Sequence, residues 1–154
     1  MTIAQERPDA PDVAPLIEEL ESHLAARYPI ESRHGLSVGQ LVAEGVDVFV
    51  LRVDGEPAAC GGILFVADEH GEAYGEIKRM YVRPRWRGQG FGRRILERLE
   101  AHARERGIAL LRLETGVGLV EAIALYERMG FAVCPPFGPY RDDPLSPCYE
   151  KRLG

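Results

Sequence analysis

Long hydrophobic runs are absent from this 154-residue sequence, whose apolar stretches fall short of the ~20 residues that a membrane-spanning helix needs. Its N-terminal residues contain no apolar segment of the kind that directs export. Cysteine is scarce: Cys60, Cys134 and Cys148 are the three present, and none belongs to a CxxC pair. We therefore expect no membrane partner and no disulfide framework, and the simplest interpretation is a reduced, cytoplasmic protein.

Familiar cofactor and metal motifs are missing as well. The P-loop needs G-x-x-x-x-G-K-[ST], and no such lysine–hydroxyl pair occurs in the sequence. A dinucleotide motif G-x-G-x-x-G beginning at Gly88 would need a third glycine where Arg93 stands. The histidines and cysteines show no zinc-ligand spacing. These absences exclude the two common nucleotide motifs, and we expect no metal.

The charge is unevenly distributed along the chain. Nineteen basic and 24 acidic residues give a net charge of −5, which argues against a nucleic-acid partner. Residues 76–94 nevertheless hold seven basic side chains and a single acid, Glu76. A local positive patch on an acidic protein favours a small polyanionic ligand, and the alternative is a solvated charged surface.

Length and periodicity predict a single α+β domain over residues 1–154. Apolar spacings of three and four predict helices, the first with Asp12 as its N-cap, over 13–26, 37–45, 91–106 and 120–129. β-branched and apolar runs predict strands over 46–53, 58–67, 74–82, 109–115, 131–134 and 148–153, the last of them at an edge. The order predicts antiparallel strands first and one strand–helix–strand crossover in the middle.

The most informative segment is the glycine-rich run from Arg87 to Gly92, between a predicted strand and a predicted helix. Glycines at alternate positions let backbone N–H groups approach a ligand closely. The helix that follows directs its unpaired N–H groups and the positive end of its dipole at the same place. The segment therefore favours phosphate binding over a simple tight turn.

The pattern R-x-x-G-x-G from Arg87 to Gly92 resembles the acetyl-coenzyme A signature of the GNAT superfamily of N-acetyltransferases. The segments Glu76–Pro84 and Ala122–Phe131 are similar to two further motifs of that superfamily. The resemblance implies the GNAT fold, a mixed six- to seven-stranded twisted sheet flanked by about four helices, in which strands 4 and 5 run parallel but splay apart. One departure is Leu119, where the superfamily often has asparagine.

The resemblance also implies acetyl-coenzyme A as the cosubstrate and assigns its binding residues. Its pantetheine arm would pair with the backbone of Met80, Tyr81 and Val82. Its pyrophosphate would rest on the backbone amides of the glycine loop, with charge added by Arg93; the loop residues are Arg87, Gly88, Gln89, Gly90, Phe91 and Gly92.

The implied reaction is direct attack of a primary amine on the thioester. The amine must lose a proton at neutral pH, and Glu76 is the candidate base, although an ion pair with Lys78 or Arg79 is an alternative role. Tyr126 stands where the superfamily places a tyrosine facing the sulfur, so it would donate to the leaving thiolate; the alternative is helix packing.

The acceptor amine would enter beside the first two helices and the loop before the last strand. Those segments offer Tyr28, Arg33 and His34, then Tyr140 and Arg141, which would hold a carboxylate or phosphonate, while Asp142 and Asp143 would hold a second ammonium group. These residues favour a small amino-acid-like or amine metabolite. Two alternatives stay open, a peptide or protein amine and a coenzyme-A-binding module without catalysis, and so does the choice between monomer and homodimer.

Overall fold

Seven strands and four α-helices make up the described part of the chain. The computed structural model describes residues 1–33, 36–67 and 71–154. The strands are β1 (Thr2–Glu6), β2 (Asp47–Val53), β3 (Glu56–Val66), β4 (Tyr74–Val82), β5 (Leu110–Glu114), β6 (Ala132–Cys134) and β7 (Cys148–Arg152). The helices are α1 (Ala14–Ala25), α2 (Val38–Glu44), α3 (Phe91–Glu105) and α4 (Val120–Arg128), with short 3-10 turns at Ile30–Ser32 and Pro84–Trp86.

All seven strands form one mixed sheet in the order β1-β2-β3-β4-β5-β7-β6. Every neighbouring pair is antiparallel except β4 and β5, which are parallel and joined by α3. Their pairing ends at Ile77 and Leu113, whereas β4 continues to Val82. The two strands therefore separate into a fork. The α+β class, the mixed seven-stranded sheet and the parallel, splayed strands 4 and 5 are confirmed.

Three details differ from the sequence predictions. β1 was not predicted; it pairs with the outer side of β2, and its weak apolar pattern gives little local signal. The predicted edge strand β7 is interior, because the short strand β6 pairs along its outer side. Asp12 is not the cap of α1: Val13 occupies that position, and the Asp12 carboxylate binds Arg52 Nη1 at 2.7 Å.

The core has two layers, one on each face of the sheet. On one face, α3 buries the predicted apolar stripe that includes Ile95 and Leu99 against β2, β3 and β4. On the other face, α1 and α2 cover Val48, Val50 and Cys60. Burial on both faces explains why the central strands are apolar along most of their length. This arrangement leaves the fork between β4 and β5 to be lined by the ends of the helices.

A β-bulge interrupts β4 close to the fork. Cys60 on β3 pairs with Tyr81, but Gly62, two positions further along β3, pairs with Lys78, three positions away on β4. Arg79 lies in this extra step with φ +57°, a left-handed conformation that is uncommon for a residue with a side chain. A bulge breaks the strict alternation of side chains along a strand, and here Lys78 and Arg79, which are consecutive, line the same cavity.

Candidate active site

Two adjoining cavities open at the fork. The larger, which we call the cofactor cleft, has a volume of about 790 Å³ and lies between the end of β4, the start of α3 and one face of α4. Nine of the ten predicted cofactor-binding residues line it; they are Met80, Tyr81, Val82, Arg87, Gly88, Gly90, Phe91, Gly92 and Arg93. In the described structure Gln89 does not line the cleft.

The glycines of the loop act in two different ways. Gly88 and Gly90 have φ values of +79° and +78°, and an added Cβ at either position would meet no heavy atom within 4 Å. Glycine is therefore favoured at both positions by the left-handed backbone and not by a lack of space for a side chain. Gly92 lies in the first turn of α3, where a Cβ would come within 3.1 Å of Leu125 Cδ2 on α4. Its role is close helix packing.

Arginine side chains fix this loop and add charge to it. The Nε of Arg87 donates to the backbone oxygen of Val82 at 2.9 Å, which ties the loop to the end of β4. Gly90 is the N-cap of α3 and provides no side-chain cap, so the first N–H groups of the helix are available to a ligand. Arg93 pairs with Glu97 at 3.0 Å one turn along α3. The loop and the uncapped start of α3 thus line the cleft together, and phosphate binding there stays a prediction from the sequence.

The smaller cavity, the acceptor cavity, has a volume of about 110 Å³ and lies on the other side of the fork. Glu76 is buried in its wall. It accepts a hydrogen bond from the hydroxyl of Tyr140, and its Oε2 lies 3.1 Å from Lys78 Nζ. Burial and the negative charge of Glu76 raise the pKa of Tyr140, so this phenol stays protonated and remains a donor. Glu76 thus forms the ion pair with Lys78 that was the alternative role, and its role as a base stays a prediction.

A second carboxylate, Glu114, lines the same cavity and was not singled out from the sequence. It is the last residue of β5, one position beyond the final pair with β4, so it stands in the fork. Burial raises the pKa of Glu114 to about 7, with the ammonium of Lys78 opposing and the carboxylate of Glu76 reinforcing the rise. Its carboxylate makes no side-chain hydrogen bond to another described residue. The available signal was an acid at the end of a strand in which three of the other four residues are leucine.

Tyr126 lies where the two cavities meet. Five residues line both cavities, namely Leu20, Met80, Leu119, Ala122 and Tyr126. The Tyr126 side chain is 5% exposed and its ring contacts Phe131. Burial, and then the charge of Glu114, raise its pKa, so the hydroxyl remains protonated at neutral pH. Tyr126 therefore packs in the core and also forms part of the wall between the cavities.

The predicted acceptor residues are only partly brought together. Tyr28, Arg33 and Tyr140 line the acceptor cavity. The Tyr28 hydroxyl also accepts the backbone N–H of Gly118 at 2.8 Å, which holds the segment before α4. Arg141 is exposed and does not line the cavity in the described structure. His34 lies outside the described residues.

In the described structure, neither of the two aspartates before β7 lines the acceptor cavity. Asp142 is exposed, whereas Asp143 accepts a hydrogen bond from Ser32 Oγ at 2.7 Å and another from the backbone N–H of Leu145. Asp143 therefore joins the loop before β7 to the segment after α1.

The described residues contain neither a metal-binding cluster nor a membrane-spanning helix. No group of three or more His, Cys, Asp or Glu side chains there is arranged to hold a metal ion. In the same residues, no helix combines the length and the apolar character that crossing a membrane requires.

Comparisons with known proteins agree with the geometry. The model of the acetyltransferase (GNAT) family matches residues 15–131. The chain is 47% identical over 153 residues to IAA acetyltransferase of Azospirillum brasilense, covering 99% of this chain and 98% of that protein. Among solved structures, a protein described as an acyl-CoA N-acyltransferase from Klebsiella pneumoniae superposes with a TM-score of 0.79 at 36% identity, covering 99% of this chain and 97% of that one. The PaiA N-acetyltransferase of Thermoplasma acidophilum, solved with coenzyme A, shares the fold with a TM-score of 0.74 at 19% identity, covering 99% and 100%.

Proposed function

We propose, from the premise that this chain belongs to the acetyltransferase (GNAT) family, that it acetylates the primary amine of a small molecule held in the acceptor cavity. The chain is an enzyme, an acetyl-coenzyme-A-dependent N-acetyltransferase of GNAT type. The resemblance noted in the sequence is thereby confirmed. The proposal concerns the acceptor and the residues that carry the reaction.

The observation that carries the proposal is the contact between the two cavities. Met80 and Tyr126 belong to both walls, so a thioester in the cofactor cleft and an amine in the acceptor cavity would meet beside them. Because both reactants would be bound side by side, their reaction would not depend on a chance encounter in solution, and their reacting atoms would already be oriented. A cleft that only bound coenzyme A would need no second cavity at this point.

The residues of the cofactor cleft fit acetyl-coenzyme A. The open side of Gly88 and Gly90 and the uncapped start of α3 suit a pyrophosphate. Met80, Tyr81 and Val82 lie on the part of β4 that has left β5, so their backbone can pair with an extended arm. When bound, acetyl-coenzyme A supplies the activated acetyl group.

We assign Glu114, in preference to Glu76, as the base that accepts the proton of the incoming amine. A base works best with a pKa near the working pH, and that of Glu114 is about 7. Glu76 already accepts from Tyr140 and pairs with Lys78, which suits a positioning role. The sequence-based assignment of Glu76 as the base stays a prediction, and the two are separated by the variants described in the Discussion.

Tyr126 is the proposed donor to the leaving thiolate. Its raised pKa keeps the phenol protonated, and it stands at the wall that the sulfur would face. A thiol has an ordinary pKa of ~8.5, so a hydrogen bond or a modest proton donation suffices.

The acceptor cavity favours a small amine over a peptide. It is several-fold smaller than the cofactor cleft, and Tyr140, from the loop before β7, forms part of its wall and donates to Glu76 there.

The three free cysteines are all buried, which fits a reducing compartment such as the cytoplasm.

The test is thiol release from acetyl-coenzyme A across a panel of small amines and peptides, with mass detection of the acetylated product. We expect acetylation of at least one class of small amine at a rate well above thioester hydrolysis. Acetylation confined to peptides would refute the small-molecule acceptor. Thermal stabilisation by acetyl-coenzyme A without acetylation of any amine would refute the proposal itself.

A further inference from the structure

The acceptor cavity contains an arginine whose guanidinium is buried but only partly paired. The Arg79 side chain is 3% exposed, and its Nη2 donates to Glu21 Oε2 on α1 at 2.9 Å. Its Nε and Nη1 are buried and have no hydrogen-bond partner among the described residues. Leaving the N–H groups of a buried cation without hydrogen-bond acceptors costs free energy. Such groups beside a cavity therefore indicate a ligand that accepts their hydrogen bonds.

Arg33 adds a second guanidinium to the same wall. Its Nη1 lies 3.3 Å from the other carboxylate oxygen of Glu21, and its Nε is also buried without a partner in the described structure. Both arginines line the acceptor cavity, whereas Glu21 is 45% exposed on its outer side. Two cations therefore share one carboxylate.

Apart from Glu114, the local charge balance leaves one positive charge at this end of the cavity, and Glu114 offsets that charge when it is ionised. Lys78, the other cation of the wall, is matched by Glu76 at 3.1 Å. The surplus therefore belongs to Arg33 and Arg79. A single carboxylate of an acceptor has the charge that balances this surplus, and it accepts strong hydrogen bonds from a guanidinium.

We infer that the acceptor is a small amino acid or amino carboxylate, whose carboxylate accepts a hydrogen bond from one of the unpaired nitrogens of Arg79, assisted by Arg33, while its amine lies towards Glu114 and Tyr126. This inference rests on the proposed function, since it names the chemical class of the amine. The bulge at Arg79 is what makes the site, because it brings this guanidinium into the same cavity as Lys78.

The experiment compares matched acceptors. Amino acids are assayed beside their carboxamides, which keep the amine and the shape but lose the negative charge, and beside the corresponding aminophosphonates. We expect the wild-type kcat/KM to favour the carboxylate over the carboxamide by roughly a hundredfold or more, because a site built for a charged group rejects the analogue that leaves its donors unpaired.

The variant Arg79→Gln should reduce this preference to within about tenfold by slowing the amino acid while changing the carboxamide little. Arg33→Gln should act in the same direction but less strongly, since Arg33 is more exposed. Arg152→Gln is the matched control, because Arg152 pairs with Glu72 on the outer surface, far more exposed than Arg79. It should leave the ratio unchanged.

Equal rates for acid and carboxamide in the wild type, or an undiminished preference in a folded Arg79→Gln, would overturn the inference. Faster acetylation of the aminophosphonate than of the amino acid would overturn the assignment of a carboxylate and identify a phosphonate as the group that Arg79 binds. If Arg79→Gln does not fold, the wild-type ratio and Arg33→Gln decide. If carboxamides and acids are acetylated at equal rates, the inference fails but the proposed function stands. If no amine is acetylated, the proposed function fails, and the inference fails with it.

Discussion

Replacing Glu114 by glutamine should change the stability of the protein in a pH-dependent way. The ordinary pKa of this carboxyl is 4.5, and burial raises it to about 7 in the fold. Between these values the unfolded chain releases the proton while the folded chain retains it, so stability falls as the pH rises through this window. One pKa unit corresponds to about 1.4 kcal/mol. Because the side chain is partly exposed, we expect the wild type to lose about 2 kcal/mol between about pH 5 and about pH 8 from this group alone.

Glutamine cannot ionise, so Glu114→Gln should escape this loss. Its free energy of unfolding, relative to that of the wild type, should be about 2 kcal/mol higher at about pH 8 than at about pH 5, equivalent to roughly 4–8 °C in Tm. Urea unfolding at both pH values measures the difference. The exposed Glu44, at the end of α2, offers the control Glu44→Gln, for which no such difference is expected. If the variant and the wild type differ by the same free energy of unfolding at both pH values, the fold does not raise the pKa of Glu114.

The same variant tests the role of Glu114 in catalysis. If it accepts the proton of the amine, kcat/KM of the wild type should rise with pH through about 7, and Glu114→Gln should lose ~10²–10⁴-fold in activity near neutral pH. Part of the loss should be recovered at alkaline pH, where the amine arrives neutral. Full activity with an unaltered pH–rate profile would remove Glu114 from the proton path.

Three further substitutions address the rest of the site. Gly90→Val forces a branched side chain into a backbone of φ +78°, so the thermal stabilisation by acetyl-coenzyme A should disappear while the fold loses about 1–2 kcal/mol; normal binding in a thermal-shift titration would contradict the loop assignment. Tyr126→Phe should leave stability and cofactor affinity nearly unchanged and slow turnover by roughly ten- to a thousandfold, and an unchanged single-turnover rate would assign Tyr126 to packing alone. Glu76→Gln weakens the bonds to Lys78 and Tyr140, so we expect a loss of about 1–3 kcal/mol in urea unfolding with the shape of the pH–rate profile retained; a profile that recovers only at alkaline pH would restore Glu76 as the base.

The cofactor half of the site could be predicted because its information is local. The loop from Arg87 to Gly92 has its glycines, its arginine and its helix start within one short segment. Gly88 and Gly90 need a left-handed backbone, which no other residue adopts as readily, so the sequence pattern reports the geometry directly. Gly92 was grouped with them by spacing, but its constraint comes from Leu125 on another helix, which no local pattern contains.

The acceptor half depends on contacts between distant segments. Glu114 becomes informative only when β4 and β5 are known to part after Leu113, because an acid at the end of a continuous pair of strands would be an ordinary surface residue. Arg79 was considered only as a partner for Glu76, yet the bulge in β4 directs it to Glu21 on α1. β1 was missed for the same reason: its place is determined by the free edge of β2.

The loop before β7 is fastened to the segment after α1 by two hydrogen bonds, from Ser32 Oγ to Asp143 and from Ser146 Oγ to the backbone oxygen of Ser32. Prolines occupy five positions between residues 135 and 147, which limits the freedom that this loop has to lose. These two segments supply Tyr28, Ser32, Arg33 and Tyr140 to the wall of the acceptor cavity, and they lie outside the continuous stretch of chain from the glycine loop to α4. Changes in these segments can alter which amine is accepted without disturbing the machinery that holds the acetyl donor, so new specificities can evolve on an unchanged catalytic framework.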